Sequence, residues 1–402
     1  SCSRAGGDGG GGQSLQGQQV EVTVPWAGAD QERFRAVVDR FEARTGATVK
    51  VTFTRDTATE LNARLDRGDA PDVALLPRVG LLGALASRGA LQPLPPAVAE
   101  LVDRNYAPVW RELGTANGKL YGVWFKILNK STLWFNQGAL DRAGVQPPAT
   151  WEELQAAATT LAAAGLAPFS LGAADSGTVG DWFENVYLRT AGTNDYIDLA
   201  RHHLAWDDPS VIEALGILAQ VFRPEWLAGG REGAAQTDFA TSVAAVLGEP
   251  PRAGFVLEAN PAEPPAGAGL VAFPAIGSSP PSVVVAGDAA VLLTDTEGGR
   301  ALVEFLATPE AAEVWAALGG FTSPNKSVDP VVYTGKVEQR AAAALVNAQV
   351  VRWDMSDLQP PAFGDDPDRG LLPLFREYLA DPAAAADVAT RMERVASGIF
   401  EP

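Results

Sequence analysis

The sequence predicts an α/β protein built from two lobes. Strand-like and helix-like segments alternate from Gln19 onward, which is typical of a mostly parallel sheet with helical crossovers. The chain has 402 residues, which is too many for one ordinary hydrophobic core. Its content of 47% hydrophobic and 20% charged residues is too apolar for a disordered chain. We therefore expect two lobes, each with its own sheet.

The first lobe is predicted from a β-α-β-α-β order. Residues 19–24 alternate with period two, and apolar residues then recur at helical spacing until Gly46 ends that helix. The next predicted elements are a strand over 47–53, a helix over 57–67 and a strand over 71–76. Because ligands of parallel sheets bind at the carboxyl ends of strands, we expect the loops at 25–30 and 77–80 to face a ligand.

A second block of elements begins near Ser131. Thr150 and Glu153 have the spacing of a capping box, which opens an Ala-rich helix. The other predicted elements are a strand over 168–171, helices over about 180–191 and 209–221, and two apolar runs over 282–286 and 289–293. Gly287 and Asp288 separate these two runs, and the remaining chain is predicted to be mainly helical.

The composition excludes several classes of function. A formal charge of −18, without any block of Lys or Arg, argues against nucleic-acid binding. The single cysteine excludes a disulfide framework and a cysteine-based zinc site, and the adjacent His202 and His203 lack the separation that most metal sites and Ser/His/Asp triads require. We therefore expect no cofactor and no metal. No apolar stretch of about 18 residues is present that could span a bilayer.

Residues 1–18 are predicted to be a flexible, Gly-rich and Gln-rich tether. Cys2 near its start, after a small residue, resembles the end of a processed bacterial lipoprotein signal, in which the thiol is diacylated. Two acyl chains hold a soluble domain on a membrane, whereas one chain binds only marginally. We therefore predict lipidation of Cys2, with an unmodified thiol as the alternative.

Seven motifs occur in order between residues 19 and 288, and the resemblance that they carry extends from residue 19 to about residue 400. They are the first strand with Trp26 and Gly28, the helix over 32–46, the segments 68–73 and 89–94, the pair of segments 121–124 and 133–136, the helix start at 150–154, and Ala286-Gly287-Asp288. Together they resemble the extracellular solute-binding proteins of ABC importers, in the carbohydrate-binding branch that includes maltose-binding protein. The segment 124–132 is similar to the subset that carries α-glucosides and related small glucosyl compounds.

This resemblance implies a two-lobed periplasmic-binding-protein fold, with a flanked, mostly parallel sheet in each lobe. It implies an N-terminal lobe of residues 19–125 plus 289–325, a C-terminal lobe of 131–286 plus 328–402, and crossings near 124–131, 286–289 and 324–328. It also implies a monomer on the outer face of the cell membrane that captures a carbohydrate, closes its lobes and delivers the ligand to ABC permease subunits.

Candidate ligand-binding residues follow from the chemistry of sugar recognition. The apolar face of a pyranose packs on an aromatic ring, and its hydroxyls are held by carboxylate, amide and guanidinium groups. Residues of these types at loop, crossing or helix-start positions are the candidates: Trp26, Asp30, Gln31, Lys126, Asp181, Trp182, Glu249, Asp288, Trp353 and Asp354. The alternative for each is a structural role in packing, capping or solvation. The other tryptophans, including Trp110, Trp134, Trp151, Trp206, Trp226 and Trp315, are predicted to pack in cores or loops.

Other functions stay open on the sequence alone. A glycoside hydrolase would need two carboxylates on opposite sides of a bond, a geometry that Asp181 and Glu184 on adjacent helical turns meet poorly. An esterase would need a Gly-x-Ser-x-Gly motif, and this sequence has none. The same fold could instead hold a polyamine between carboxylates and aromatics. It could also hold an acidic sugar derivative, for which Lys126, Arg78 or Arg252 would matter.

Overall fold

The computed structural model describes residues 14–54, 56–175, 177–258, 264–364 and 366–400. Cys2 and most of the predicted tether lie outside these ranges, so lipidation of Cys2 stays a prediction. Leu15, however, is fully buried, and its backbone N–H donates to the carbonyl of Thr45 at 2.8 Å. The packed protein therefore begins a few residues before the predicted end of the tether.

The described residues form twelve strands. They are β1 Gln19–Val24, β2 Thr48–Phe53, β3 Val73–Leu76, β4 Thr115–Ala116, β5 Lys119–Leu120, β6 Gly122–Asn129, β7 Thr132–Asn136, β8 Ala167–Phe169, β9 Ala253–Leu257, β10 Ala268–Ala272, β11 Ser282–Leu292 and β12 Val350–Trp353.

Helices surround these strands. They are α1 Ala29–Thr45, α2 Thr57–Arg67, α3 Val79–Ser87, α4 Pro96–Asn105, α5 Pro108–Leu113, α6 Gln137–Ala143, α7 Trp151–Ala163, α8 Thr178–Thr190, α9 Thr193–Ala200, α10 Pro209–Ala219, α11 Gly230–Gln236, α12 Phe239–Leu247, α13 Glu297–Leu306, α14 Pro309–Ala316, α15 Lys336–Val346, α16 Met355–Leu358, α17 Pro361–Gly364, α18 Leu371–Ala380 and α19 Ala385–Phe400. Among the described residues, no helix is both long and apolar enough to cross a membrane.

Two main sheets organise the molecule. The first has the order β12-β11-β3-β1-β2, with β6 paired to the other edge of β11, and the second has the order β10-β7-β9-β8. Strand β1 runs parallel to β2 and β3, whereas β11 runs antiparallel to β3 and β6. In the second sheet, β7 is antiparallel to both of its neighbours. Both sheets are therefore mixed. In the first sheet this is because the chain, after β10 of the second sheet, comes back as β11, which runs opposite to β3 and β6.

The local signals of the sequence predict most elements correctly. Gly46 ends α1 as predicted, in the left-handed conformation that is common at helix C-termini. Thr150 and Glu153 form the predicted capping box, with the Glu153 N–H donating to Thr150 Oγ1 at 3.2 Å. The break predicted at Gly287 and Asp288 is wrong, since β11 is one strand of 11 residues with a bulge between Asp288 and Ala289. A bulge absorbs an extra residue without ending the strand.

Two large hydrophobic cores accompany the two sheets, and a smaller apolar cluster packs on the second sheet. One contains the apolar residues of β1, β3 and α1, and the other contains those of α7, α8 and α10. The predicted lobe boundaries and crossings stay predictions. Trp353 belongs to the first core and Met355 to the second, so the chain passes from one core to the other at Asp354.

Gly287 lies where the two long strands β6 and β11 approach each other closely. A Cβ at this position would overlap the carbonyl oxygen of Lys126 in β6, so the strands can pair only if position 287 has no side chain. We expect Gly287→Ala to lower the free energy of unfolding by roughly 1–3 kcal/mol, as overpacked cores do. Urea denaturation measures this change.

Gly83→Ala in α3 is the matched control. A Cβ there meets nothing within 4 Å, so this variant should be unchanged or more stable by about 0.5–1 kcal/mol. Equal stability of the two variants would contradict the predicted strand contact.

Candidate ligand-binding site

A cavity of about 480 Å³ lies where four strands end. Arg78 follows β3 by two residues, and Lys130, Glu258 and Asp354 come directly after β6, β9 and β12. The strands belong to both sheets, so the cavity is built between them. This location agrees with the rule that α/β proteins bind ligands outside the carboxyl ends of strands.

Helices complete the cavity wall, among them α8, α12 and α18. Asp181 and Glu184 lie three residues apart near the start of α8 and therefore share one helix face. Phe239 begins α12, and Phe375 lies on α18. The wall therefore combines acidic groups, two cations and two aromatic rings.

Lys130 joins two carboxylates at the cavity wall. Its Nζ donates to Asp181 Oδ1 at 3.1 Å and also to Asp354 Oδ2. Although burial alone would lower it, these two carboxylates hold the pKa of Lys130 well above its usual value. Burial raises the pKa of Asp181, with help from the neighbouring Asp354. Burial opposes ionisation of Asp354 as well, but Lys130 outweighs it and lowers the pKa of Asp354. The group is therefore an ion-paired cluster.

Ser356 holds the other carboxylate oxygen of Asp354, the one that does not contact Lys130. Its Oδ1 accepts from the backbone N–H of Ser356 at 2.9 Å and from Ser356 Oγ at 2.6 Å, which makes it the N-cap of α16. The carboxylate is only 3% exposed. One oxygen therefore fixes the side chain to the backbone, and the other faces Lys130.

Glu184 is held by groups other than Lys130. Its Oε2 accepts from the hydroxyl of Tyr196 at 2.7 Å and from the backbone N–H of Met355 at 2.9 Å. Burial, together with the nearby carboxylates Asp354 and Asp181, raises the pKa of Glu184 well above its usual value. The protonated form is therefore favoured relative to an exposed glutamate.

An ion pair spans the rim of the cavity. Arg78 Nε lies 3.5 Å from Asp357 Oδ1, and Asp357 Oδ2 accepts from Trp353 Nε1 at 3.2 Å. Arg78 follows a strand of the first sheet, whereas Asp357 lies on α16, whose Met355 packs in the second core. The pair thus connects the two sides of the cavity.

Four of the predicted site residues form a different cluster, inside the first core. Trp26 Nε1 donates to Asp288 Oδ2 at 3.0 Å, and Lys126 pairs with Asp30. The ammonium of Lys126 also lies 4.7 Å from the ring centre of Trp315. Trp26 is only 7% exposed. The structure therefore brings these four residues together as a packed polar cluster, and none of them lines the cavity.

The other predicted aromatic platforms are also packed. Trp182 is 1% exposed, and its ring lies 5.3 to 5.8 Å from three phenylalanines of the second core. Trp353 is 1% exposed and ends β12 rather than lying in a helical region, with its ring 4.3 Å from that of Trp124. Of the described residues on the cavity wall, the aromatic ones are phenylalanines. The rings that could contact a ligand in this cavity are therefore those of Phe239 and Phe375.

Two further candidates make local contacts. The Gln31 amide nitrogen lies 3.4 Å from the carbonyl oxygen of Trp26, and Glu249 Oε1 accepts from Asn136 Nδ2 at 2.9 Å. Of the ten candidates, the cavity wall includes Asp181 and Asp354. The structural role predicted for the remaining tryptophans is confirmed, because all of them are at most 6% exposed: Trp110, Trp134, Trp151, Trp206, Trp226 and Trp315.

The sequence reasoning missed several wall residues that a simple positional signal could have found. Lys130 and Glu258 each stand directly after a strand, and α/β proteins bind their ligands at the carboxyl ends of strands. Glu184 was considered only as half of a catalytic pair. Phe239 and Phe375 carry no sequence signal that separates them from ordinary core residues.

A cavity at the carboxyl ends of strands from two sheets, with an apolar lining and a few charged groups, is typical of a site that binds a small solute. The chain belongs to the bacterial extracellular solute-binding protein family, which its residues 27–313 match. It is thus an extracellular solute-binding protein of the kind that serves ABC transporters, and the family consists of binding proteins.

Curated relatives match most of the chain. An osmoprotective compounds-binding protein of Synechocystis sp. is 32% identical over 361 residues, which are 86% of this chain and 86% of the relative. An alpha-glucosides-binding periplasmic protein of Rhizobium meliloti is 32% identical over 376 residues, which are 88% of this chain and 82% of the relative.

Solved structures share the two-lobed fold. The bacterial solute receptor AcbH superposes with a TM-score of 0.82 at 17% identity, covering 95% of this chain and all of that one. A probable secreted solute-binding lipoprotein from Streptomyces coelicolor has a TM-score of 0.76 at 17% identity, covering 94% and 98% of the two chains. The predicted α/β, two-lobed fold class is confirmed, but the mostly parallel sheet expected in the second lobe is mixed, because β7 runs antiparallel to β10 and β9 and only β8 and β9 run parallel.

Asp288 gives the packed cluster a measurable pH dependence. Burial raises the pKa of Asp288 from 3.8 to about 6, even though Lys126 and Trp26 act in the opposite direction. Between about pH 4 and pH 6 the folded state therefore holds a proton that the unfolded state has released. The free energy of unfolding should fall as pH rises through this window, by roughly 3 kcal/mol from this one group, and stay level above it.

The Asp288→Asn variant keeps an acceptor for Trp26 Nε1 but cannot titrate. Compared with the wild type, it should lose this part of the pH dependence in urea denaturation between pH 4 and pH 7. Parallel stability profiles of the two proteins would show that Asp288 titrates normally.

Proposed function

We propose that the protein captures a small α-glucoside, or a related small glucosyl compound, in the cavity at the strand ends and delivers it to an ABC permease. The observation that carries this proposal is the wall itself, in which Asp181, Asp354 and Glu258 accompany Phe239 and Phe375. Carboxylates accept hydrogen bonds from neighbouring hydroxyls, and a ring covers the apolar face of a sugar. The Rhizobium meliloti relative, an alpha-glucosides-binding periplasmic protein, supports the choice of α-glucosides.

The size and composition of the cavity are in keeping with this ligand. Its volume of about 480 Å³ falls in the range of ~300–1,000 Å³ that is usual for small-molecule sites. Each hydrogen bond contributes about 0.5–1.5 kcal/mol net, so several polar contacts and one covered sugar face are needed to reach about −8 kcal/mol, which corresponds to micromolar affinity. The wall offers this number of polar groups.

Binding is proposed to occur without turnover. Asp181 and Glu184 lie on one face of α8, whereas a glycosidase places its two carboxylates on opposite sides of the scissile bond. Asp181 is also engaged by Lys130. The arrangement therefore suits hydrogen bonding to hydroxyls better than proton transfer to a leaving group.

The remaining parts of the proposal concern the cell. A lipid on Cys2 would hold the monomeric protein at the outer face of the membrane. The Streptomyces coelicolor neighbour, which is described as a lipoprotein, supports this anchor. Permease subunits would then read the ligand-bound form.

Asp181→Asn tests the proposed site. The substitution keeps the shape of the side chain but removes the charge that strengthens hydrogen bonds to sugar hydroxyls. Losing such a charged contact costs about 1.5–3 kcal/mol, so calorimetry with the tightest-binding α-glucoside should give a Kd roughly 10- to 150-fold higher than that of the wild type.

Asp66→Asn serves as the matched control, since Asp66 is exposed on α2. Its affinity should equal that of the wild type. If both variants bind the sugar as the wild type does, the ligand site is elsewhere.

Ligand binding is also expected to close the two lobes. The cavity takes Arg78 from the first sheet and Phe375 from the second core, so a ligand that contacts both sides favours their approach. Small-angle scattering should show a smaller radius of gyration with a saturating glucoside and no change with a sugar that calorimetry shows not to bind. An unchanged radius with proven binding would remove closure from the mechanism.

A further inference from the structure

Three carboxylates meet at one wall of the cavity. One oxygen from each of Asp181, Glu184 and Asp354 lies within 4.8 Å of the others. Carboxylate oxygens at this spacing are what a divalent cation such as Ca²⁺ requires, and they would equally suit the ammonium group of a diamine. Without a positive charge, the three groups would repel one another. The cluster therefore needs either a bound cation or a cation from the chain.

The chain supplies this cation as Lys130. Its ammonium group contacts Asp181 and Asp354, two of the three carboxylates. The backbone on which it stands is fixed on both sides. The N–H of Lys130 donates to the carbonyl of Val284 at 2.9 Å, and the Lys130 carbonyl accepts from Asn185 Nδ2 at 2.9 Å. The backbone of Lys130 is therefore anchored, and its ammonium group lies in contact with Asp181 and Asp354.

The third carboxylate is satisfied without the lysine. Tyr196 and the backbone of Met355 both donate to Glu184 Oε2. Burial and the two neighbouring carboxylates raise the pKa of Glu184, which favours its neutral form. The lysine thus has two charged partners, and its ammonium group compensates one of their two negative charges from within the protein.

We propose that Lys130 is a specificity-determining residue, whose ammonium group occupies the carboxylate cage and so makes the cavity select neutral polyhydroxyl ligands over divalent cations and polyamines. This inference rests on the proposed function, because it assigns the ligand class of the same cavity. A free cation can enter the cage only by displacing an ammonium group that is covalently tethered and anchored through its backbone. A neutral sugar can bind beside the cage and leave it intact.

Lys130→Ala tests this role. Removing the ammonium group should leave Asp181 and Asp354 without their cation beside Glu184, so the variant should bind Ca²⁺ or 1,4-diaminobutane at least tenfold more tightly than the wild type in calorimetric titrations. The same variant should bind the α-glucoside more weakly, because its carboxylates have lost their partner. Lys130→Arg, which keeps a positive charge, should gain no cation binding.

Lys119→Ala is the matched control, because it removes the same charge from the exposed side chain in β5. Lys130→Gln replaces Lys130→Ala if the alanine variant does not fold. The proposal is overturned if the folded Lys130 variant binds both cations no better than Lys119→Ala. It is also overturned if the wild type already binds Ca²⁺ or 1,4-diaminobutane at micromolar concentration, a result that requires no variant.

The two proposals fail in distinguishable ways. If the wild type binds no glucoside but removal of Lys130 creates a cation site, then the proposed function is wrong and the blocking role of Lys130 stands. If the wild type binds the glucoside and the Lys130 variant gains no cation, then the blocking role is wrong and the proposed function stands.

Discussion

The contact between Lys130 and Asp354 is the interaction on which the cavity depends. Lys130 follows β6 where the chain leaves the first sheet, and Asp354 lies where the chain passes from the first core to the second for the last time. The ion pair therefore connects two chain segments, one around Lys130 and one around Asp354, that each run from the first core to the second. Asp181 brings the start of α8 to the same ammonium group. Three distant segments thus meet at one positive charge, and the ends of their elements form the wall of the cavity.

Strand β11 provides the frame that makes this meeting possible. Its first half pairs with β12 and its second half with β3 along one edge, while β6 pairs along the other. The strands that carry Arg78, Lys130 and Asp354 are thereby fixed relative to one another. Gly287 allows the closest part of this pairing, and the bulge at Asp288 adjusts the register between the two halves of β11. Backbone pairing positions the charged side chains before any ligand is present.

The fold could be predicted from the sequence because its signals are local. Alternating strands, Gly46 after α1 and the capping box at Thr150 each depend on a few neighbouring residues. The residues of the proposed site are harder to predict, because they depend on which strand ends meet. Asp181 and Asp354 are among the candidates that the sequence indicates, but Lys130 is not, since its partners are 51 and 224 residues away. The tryptophans at 26, 182 and 353 misled the prediction, because loop and helix-start positions proved to be core positions once the surrounding aromatic rings had packed.

The most direct measurement is a crystal structure with the glucoside that binds most tightly in a calorimetric screen. The account predicts electron density for the sugar inside the cavity, with hydroxyl oxygens within hydrogen-bonding distance of Asp181 and Asp354 and one sugar face against Phe239 or Phe375. Lys130 should still contact both aspartates in that complex. Sugar density beside Trp26 and Asp288, with solvent in the cavity, would contradict the account.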